Sequence, residues 1–304
     1  MKKIFIILSV FIFTTSSAIS DGHDIKKDGF LSKNFKITEL STIQDPENKI
    51  IMINNHGQNN LDGKQKGCTS IEQIRNRVSL VDEEVKGKKI MLYNLCAGKI
   101  EGDMGMAWWI SKKPYVGKSK LDKRVEQNLE LVEKLVSLGV PRKQIFVTGH
   151  SCGGLTTLLF FARHPEKAGG GIAYMAACFD KLSKKYKVKK KGKDAALAKF
   201  KKKKPAQYDL RAKYNNEILT QLKVPLLAFT HPKDPFEGLT SDWLDKIEGM
   251  NRIVISEDYT IDGKKCSKKG RHERIRVKDG HSMDQATCFQ YYNPVIKEYI
   301  ASRI

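Results

Sequence analysis

Four patterns that mark common functional or structural classes are missing from this sequence. Its six cysteines show no CxxC or other metal-ligand spacing, which argues against a zinc site. There is no glycine-rich phosphate loop either, so no cofactor is implied. No apolar run after residue 21 reaches transmembrane length, and no internal repeat is visible. What is present is a chain of 304 residues, 40% hydrophobic with mixed charges, which suits one large α/β domain or two small ones rather than disorder.

Arginine is scarce although the chain is strongly basic. The formal net charge is +21, and only 11 of the 55 basic residues are arginine. A nucleic-acid-binding protein can have such a charge, but so can any protein with a lysine-rich surface. Because export is also indicated, we interpret the charge as a source of solubility and of weak attraction to anionic surfaces or polymers. We expect no specific nucleic-acid partner.

The first twenty residues have the composition of a signal peptide. MKK is a positive start, IFIILSVFIF is a ten-residue apolar run, and TTSSAIS ends with small residues suited to cleavage after Ser20. An uncleaved anchor is the alternative. We therefore expect residues 1–20 to be removed and residues 21–304 to form a soluble, exported domain that is periplasmic or extracellular. An even number of cysteines in such a compartment suggests disulfides, with fifteen possible pairings.

Apolar runs alternate with helix-like stretches, which predicts an α/β fold with a mostly parallel central sheet and helices on both faces. The predicted strands cover residues 35–42, 50–53, 88–95, 144–151, 171–179, 224–231 and 252–256. Helices are predicted at residues 69–85, 121–138 and 153–163, with a further helix at the C-terminus. Residues 180–222 hold thirteen lysines between 181 and 204 and are too polar for the sheet. We predict that they form a small cap or lid.

The segment GHSCG at 149–153 matches G-x-S-x-G between a predicted strand and a predicted helix. Gly149 and Gly153 allow the close backbone approach that such a tight turn requires, and the turn exposes the hydroxyl of Ser151. The positive end of the following helix favours developing negative charge. The alternative is a glycine-rich helix entry without chemistry.

A serine hydroxyl needs a base, and the base needs an orienting acid. His281 is the preferred base, because it lies between the last predicted strand and the terminal helix; Asp234, just past a buried strand, is the preferred acid. The less favoured histidines are His23, His56, His150, His164, His231 and His272. The substitutes for the acid are Glu237, Asp242 and Asp258, whereas Asp279 is interpreted as a turn residue.

The segments VPRKQIFVTGHSCGG, NHGQ and DGHSM resemble secreted esterases of the α/β-hydrolase superfamily over roughly residues 35–304. The dienelactone-hydrolase-like and polyester-depolymerase-like branches are most similar. The resemblance implies Ser151 as nucleophile, His281 as general base and Asp234 as its orienting acid. It also implies an oxyanion hole made by the backbone N–H groups of Cys152 and Gln58. His56-Gly57 departs from the fuller HGGG motif, which makes Gln58 less secure than Cys152.

The topology implied by this resemblance suggests disulfides and a substrate pocket. Cys266 would pair with Cys288 around His281, Cys68 with Cys96, and Cys152 with Cys178, although Cys152 could also be a small buried thiol. Four aromatic residues could line the substrate: Trp108, Trp109, Phe179 and Phe236. The two tryptophans could equally anchor a long loop on the core.

The favoured function is a secreted serine hydrolase that cleaves small-molecule or polymeric carboxylic esters through an acyl-enzyme. An amidase or peptidase with the same triad is the first alternative. The second is an inactive hydrolase fold that binds polyanions or a partner through its lysine-rich insertion.

Overall fold

A computed structural model describes most of the chain. The described residues are 25, 27–57, 69, 71–96, 117–261, 263–266 and 279–304. The predicted signal peptide and Gln58, Cys68, Trp108 and Trp109 lie outside them. Within these ranges, no helix combines the length and the apolar character needed to cross a bilayer.

Mostly apolar segments, rich in isoleucine and leucine, form one central sheet. Its strands are β1 (Gly29–Leu31), β2 (Ile37–Thr38), β3 (Lys49–Asn55), β4 (Glu84–Val85), β5 (Lys88–Leu95), β6 (Ile145–His150), β7 (Gly170–Tyr174), β8 (Leu226–Thr230) and β9 (Met250–Val254). The order is β2-β1-β5-β3-β6-β7-β8-β9, with β4 beside β5. All pairs from β5 to β9 are parallel, whereas β1, β2 and β4 pair antiparallel. A short separate ribbon joins β10 (Thr260–Ile261) to β11 (Lys264–Lys265).

Helices cover both faces of this sheet. They are α1 (Ile71–Val78), α2 (Lys120–Ser137), α3 (Cys152–Arg163), α4 (Leu182–Lys185), α5 (Val188–Lys191), α6 (Lys193–Lys203), α7 (Pro205–Gln221) and α8 (Asn293–Arg303). Alternate side chains of β3 point to opposite faces: Ile51 and Ile53 join the core beneath α2 and α3, while Ile50 and Met52 join the core beneath α1 and α8. The predicted fold class is confirmed.

The strand predicted over 35–42 forms only β2 (Ile37–Thr38), and two further elements end several residues before the ends that their sequence patterns predict. The helix predicted over 69–85 stops at Val78, because the chain then turns through Asp82, which has a positive φ, before forming β4. The strand predicted over 171–179 stops at Tyr174, since Met175 also has a positive φ that a strand cannot accommodate.

The lysine-rich segment is helical in the structure. Helices α4 to α7 lie between β7 and β8, and their apolar side chains Phe200, Tyr214 and Ile218 belong to the same core as α2 and α3. On α7, Tyr214 donates a hydrogen bond to Asp122 at the start of α2. The segment is therefore anchored on the main domain, and its role as a lid stays a prediction.

Candidate active site

Ser151 occupies a strained turn between β6 and α3. Its backbone has φ 57° and ψ −120°, a conformation that side-chain-bearing residues rarely adopt. The turn is possible because its glycines lie against neighbouring backbone. A Cβ on Gly149 would come within 2.3 Å of Gly153, and one on Gly153 within 2.1 Å of the carbonyl oxygen of Asn55. The predicted need for both glycines thus has a direct steric cause.

His281 and Asp234 lie beside this serine, in the arrangement that the sequence predicts. Nε2 of His281 is 2.8 Å from Oγ of Ser151, and its Nδ1 is 2.8 Å from Oδ2 of Asp234. Oδ1 of Asp234 accepts the backbone N–H of Phe236 at 2.8 Å, which fixes the carboxylate. His281 is in a 3₁₀ helix, Gly280–Gln285, whose N-cap Asp279 accepts the His281 N–H. Three segments far apart in sequence thus form one hydrogen-bonded chain.

The electrostatic surroundings of His281 favour its protonated form. Burial acts to lower the pKa of His281, but the carboxylates of Asp234, Asp284 and Asp279 more than offset this effect. The net result is a pKa above the ordinary value of 6.5. A base that gains a proton readily is suited to take one from a serine hydroxyl.

The substitute acids have other partners. Glu237 forms a buried ion pair with Arg211, Asp242 pairs with Lys193 at the surface, and Asp258 accepts the hydroxyl of Ser256. None of the three contacts His281. The contacts therefore favour Asp234 over its substitutes.

Two of the less favoured histidines are buried away from the hydroxyl of Ser151. His56 is enclosed beside Arg124, and burial together with this guanidinium holds the pKa of His56 well below 6.5. His231 stacks on Tyr259 with ring centroids 4.6 Å apart, and burial lowers its pKa too. Both side chains support loops of the site rather than contact the serine.

The strand order, together with the positions of Ser151, Asp234 and His281, identifies the fold. Ser151 follows β6, Asp234 follows β8 and His281 follows β9, at the carboxyl ends of parallel strands. The chain order Ser–Asp–His and the strained serine between strand and helix are features of one fold. The chain has the α/β-hydrolase fold. In this fold a nucleophile, a base and an acid meet at one edge of the sheet.

In comparisons with known proteins, only solved structures are similar to this chain. No protein-family model and no curated protein matches the chain. Similar structures include a carboxylesterase of the thaumarchaeon Nitrososphaera gargenis, at 13% identity and TM-score 0.47, covering 86% of this chain and 93% of that one. MGS-MChE2, an α/β-hydrolase enzyme from lagoon-sediment metagenome, has 14% identity and TM-score 0.47, with 84% and 92% covered. Est1E from Butyrivibrio proteoclasticus has 12% identity and TM-score 0.43, with 86% and 89% covered.

Two of the three expected disulfides are present in the hydrolase fold. Cys152 is bonded to Cys178, which ties the start of α3 to the segment after β7, and Cys266 is bonded to Cys288. The alternative of a free thiol at Cys152 is therefore wrong. The expected partner of Cys96 lies outside the described residues.

The backbone directly after the serine offers an N–H group at the site. Cys152 is the first residue of α3, so its N–H has no partner within the helix. The oxyanion-hole role expected of Cys152 stays a prediction, and Gln58 falls outside the described residues. The following segment closes the other side, since the carbonyl oxygen of Ala177 lies 3.0 Å from Oγ of Ser151 and competes with Nε2 of His281 for its single hydroxyl proton.

The two described aromatic residues that were expected to line the substrate differ in position. The ring of Phe236 lies beside His281, with centroids 4.4 Å apart. Phe179 is only 3% exposed and packs in the core beneath α2 and α3. The lining roles of Phe179 and Phe236 both stay predictions.

A second buried polar cluster lies next to His281 and was missed by sequence reasoning. The Asp284 carboxylate is fully buried, 3.0 Å from Nη1 of Arg77 and 2.9 Å from Nδ1 of His150. The His150 and His281 rings are 4.8 Å apart. The only sequence signal was a histidine inside an otherwise apolar strand.

Asp284 is ionised in this cluster. Burial acts to raise the pKa of Asp284, but His150 and Arg77 outweigh that effect and lower it. Burial also lowers the pKa of the neighbouring His150 imidazole. The result is a fixed negative charge close to His281. Among the described residues, no group of histidine, cysteine and acidic side chains has the geometry of a metal site.

Proposed function

We propose that this protein is an exported serine hydrolase that cleaves carboxylic esters through an acyl-enzyme intermediate. The observation that carries the proposal is the continuous hydrogen-bonded chain from Ser151 through His281 to Asp234, at a strained strand-to-helix turn. Each contact is 2.8 Å long, within the range needed for proton transfer between such groups.

In the acylation step, Oγ of Ser151 attacks the ester carbonyl carbon while Nε2 of His281 takes its proton. The Asp234 carboxylate accepts the Nδ1–H of His281, so the neutral ring presents Nε2 as the acceptor. The imidazolium then gives its proton to the leaving alcohol. In the tetrahedral intermediate between these two proton transfers, the former carbonyl oxygen carries a negative charge. The N–H of Cys152 at the start of α3 stabilises this charge, with Gln58 as the expected second donor.

In the deacylation step, a water molecule replaces the alcohol. His281 takes a proton from this water as its oxygen attacks the acyl carbon, and the proton returns to Ser151 as the acid product leaves. The same set of groups therefore serves both halves of the reaction.

Export is supported by the disulfides. Cys152–Cys178 and Cys266–Cys288 are structural bonds of a kind that persists in oxidising compartments. Together with the signal-like N-terminus, they favour a periplasmic or extracellular location for residues 21–304.

The proposal is tested by labelling the mature protein with a fluorophosphonate probe, which reacts with activated serines. Wild-type protein should be labelled, Ser151→Ala and His281→Ala should not, and the control Ser137→Ala should be labelled like the wild type. A well-folded wild-type protein that resists the probe would overturn the proposal. Paired esters and amides of the same acyl group then separate an esterase from an amidase or peptidase.

A further inference from the structure

The lysine-rich helices carry a strongly charged surface. Of the thirteen lysines between 181 and 204, three contact carboxylates: Lys185 and Lys204 contact Asp180, and Lys193 contacts Asp242. The other ten are all exposed and contact no carboxylate in the described part of the chain: Lys181, Lys184, Lys187, Lys189, Lys190, Lys191, Lys199, Lys201, Lys202 and Lys203. We name these ten residues the lysine face.

The lysine face holds many positive charges with almost no compensation. Between residues 181 and 204, Asp194 is the only acidic residue. Helix α6 alone is about 16 Å long, so several charges lie within one or two Debye lengths of each other at physiological salt. Their repulsion is a cost to the folded protein, and it is relieved by a ligand with regularly spaced negative charges.

The lysine face begins next to the proposed catalytic histidine. The backbone N–H of Ser183 donates to the Phe236 carbonyl at 2.8 Å, and that of Lys184 donates to the Pro235 carbonyl at 3.0 Å. These bonds join α4 to the loop that carries Asp234. The ammonium group of Lys181 lies 5.6 Å from the centre of the Phe236 ring, which in turn contacts His281. A ligand held by the face can thus reach the site.

The character of the surface favours a soluble polymer over a lipid. The large hydrophobic residues that are exposed in the described ranges are Leu239, Val254 and Tyr291, all outside the lysine-rich helices. Of these three, Leu239 borders the face, since its backbone N–H donates to the Ser183 hydroxyl, so the face offers one large apolar side chain to a bilayer rather than an apolar patch. Lysine ammonium groups are compact, hydrated point charges on flexible stems, which suit repeated anionic groups better than one shaped ligand.

We propose that the lysine face binds a soluble polyanionic chain, and that the ester cleaved at Ser151 is carried by such a polymer, as in an acylated acidic polysaccharide. The substrate part of this inference rests on the proposed esterase function. The binding part does not.

The experiment compares two esters and two matched variants of the mature protein. The esters are O-acetylated polygalacturonate, which is polyanionic, and 4-nitrophenyl acetate, which is neutral. One variant replaces four lysines of the face by glutamine (Lys189, Lys190, Lys199 and Lys202). The control replaces four exposed lysines at the far edge or the opposite end of the sheet (Lys33, Lys36, Lys134 and Lys143).

We expect the face variant to lose about tenfold or more in kcat/KM on the polymer, because each exposed charge contributes a modest share of the attraction. Its activity on 4-nitrophenyl acetate and the control variant's activity on both esters should match the wild type. The polymer activity of the wild type should also fall with added salt. Equal losses in both variants, or none in the face variant, would overturn the proposal.

Binding measurements separate this inference from the proposed function. Ser151→Ala should bind de-esterified polygalacturonate as tightly as the wild type and more tightly than it binds anionic phospholipid vesicles. If the wild type binds the polymer but hydrolyses neither ester, the esterase proposal fails while the binding surface stands. If vesicles bind through the face and the polymer does not, the polymer proposal is wrong.

Discussion

Asp234 accepts two hydrogen bonds at the site, and a substitution that changes a single side-chain atom can disrupt one of them while the other is kept. Its Oδ2 accepts the Nδ1–H of His281, and its Oδ1 accepts the N–H of Phe236. Asparagine at this position can still accept the backbone N–H but favours the wrong tautomer of the imidazole. We expect Asp234→Asn to fold normally and to lose about 10⁴-fold in kcat. Ester hydrolysis checks the loss, with Asp242→Asn as a control that should remain fully active.

The pH profile should report the charges around His281. In the proposed mechanism the His281 imidazole acts as the base when it is neutral, so kcat/KM should rise with pH through a pKa above 6.5. Asp279 is one of the carboxylates that raise this pKa, and asparagine can replace it as N-cap. Because Asp279→Asn removes a charge that stabilises the imidazolium, the pKa should fall and the acid limb should move to lower pH. An acid limb of the Asp279→Asn profile that stays at the wild-type pH, or moves to higher pH, would contradict this explanation.

The sequence predicted the three residues of the hydrogen-bonded chain but not the charges behind them. Ser151 stands in a local motif, and His281 and Asp234 follow predicted strands, so the common edge of a parallel sheet brings them together. Asp284 and Arg77 are 207 residues apart and belong to no motif. Their pairing depends on how α1 packs against the segment after β9, which no local pattern encodes.

At the scale of elements, the strand-to-helix turn depends on glycines that have no room for a side chain. A Cβ on Gly153 would meet the carbonyl oxygen of Asn55 at 2.1 Å, and because that oxygen belongs to the backbone it cannot turn aside as the end of a flexible side chain could. We expect Gly153→Ala to lower the free energy of unfolding by about 1–3 kcal/mol or more and to reduce labelling at Ser151. Urea denaturation of the disulfide-intact protein measures the first effect.

Gly87→Ala provides the matched control for this prediction. Gly87 lies outside the helices and, unlike Gly153 in the first turn of α3, has a positive φ, but a Cβ there would meet no atom within 4 Å. Alanine at Gly87 should therefore cost only the backbone strain, about 1–2 kcal/mol. A smaller loss of stability at Gly153 than at Gly87 would show that the close approach of Asn55 is not limiting.

Element boundaries were predicted well where the periodicity continues to the end of the element. Strand β5 matches the predicted residues 88–95, and α2 differs from its prediction by one residue at each end. The C-terminal end of α1 was wrong because Val81 and Val85 continue the helical spacing although they are buried in a turn and in β4. Burial can come from either structure, so spacing alone did not separate them.

At the scale of the whole molecule, one buried ion pair joins an early helix to the last part of the chain. Arg77 of α1 and Asp284 beside the site are 3% and 0% exposed, and Arg77 also lies over the Tyr174 ring. Removing one partner leaves the other charge buried alone. We expect Arg77→Met to lower the free energy of unfolding by about 3–5 kcal/mol near neutral pH. Arg142→Met, which breaks an ion pair at the surface, should have a much smaller effect.

The loss of unfolding free energy caused by Arg77→Met should become smaller as the pH falls. In the wild type the pKa of Asp284 is lowered in the folded state, so its stabilising effect is present above pH 3.8 and is lost as pH falls through the folded pKa. Without Arg77, burial should raise that pKa, and Asp284 should take up a proton at a higher pH than in the wild type. The stability gap between wild type and Arg77→Met should therefore shrink on acidification. Urea unfolding of both proteins at several pH values measures it, and a gap that widens towards acid would show that Asp284 is not the charge left unpaired.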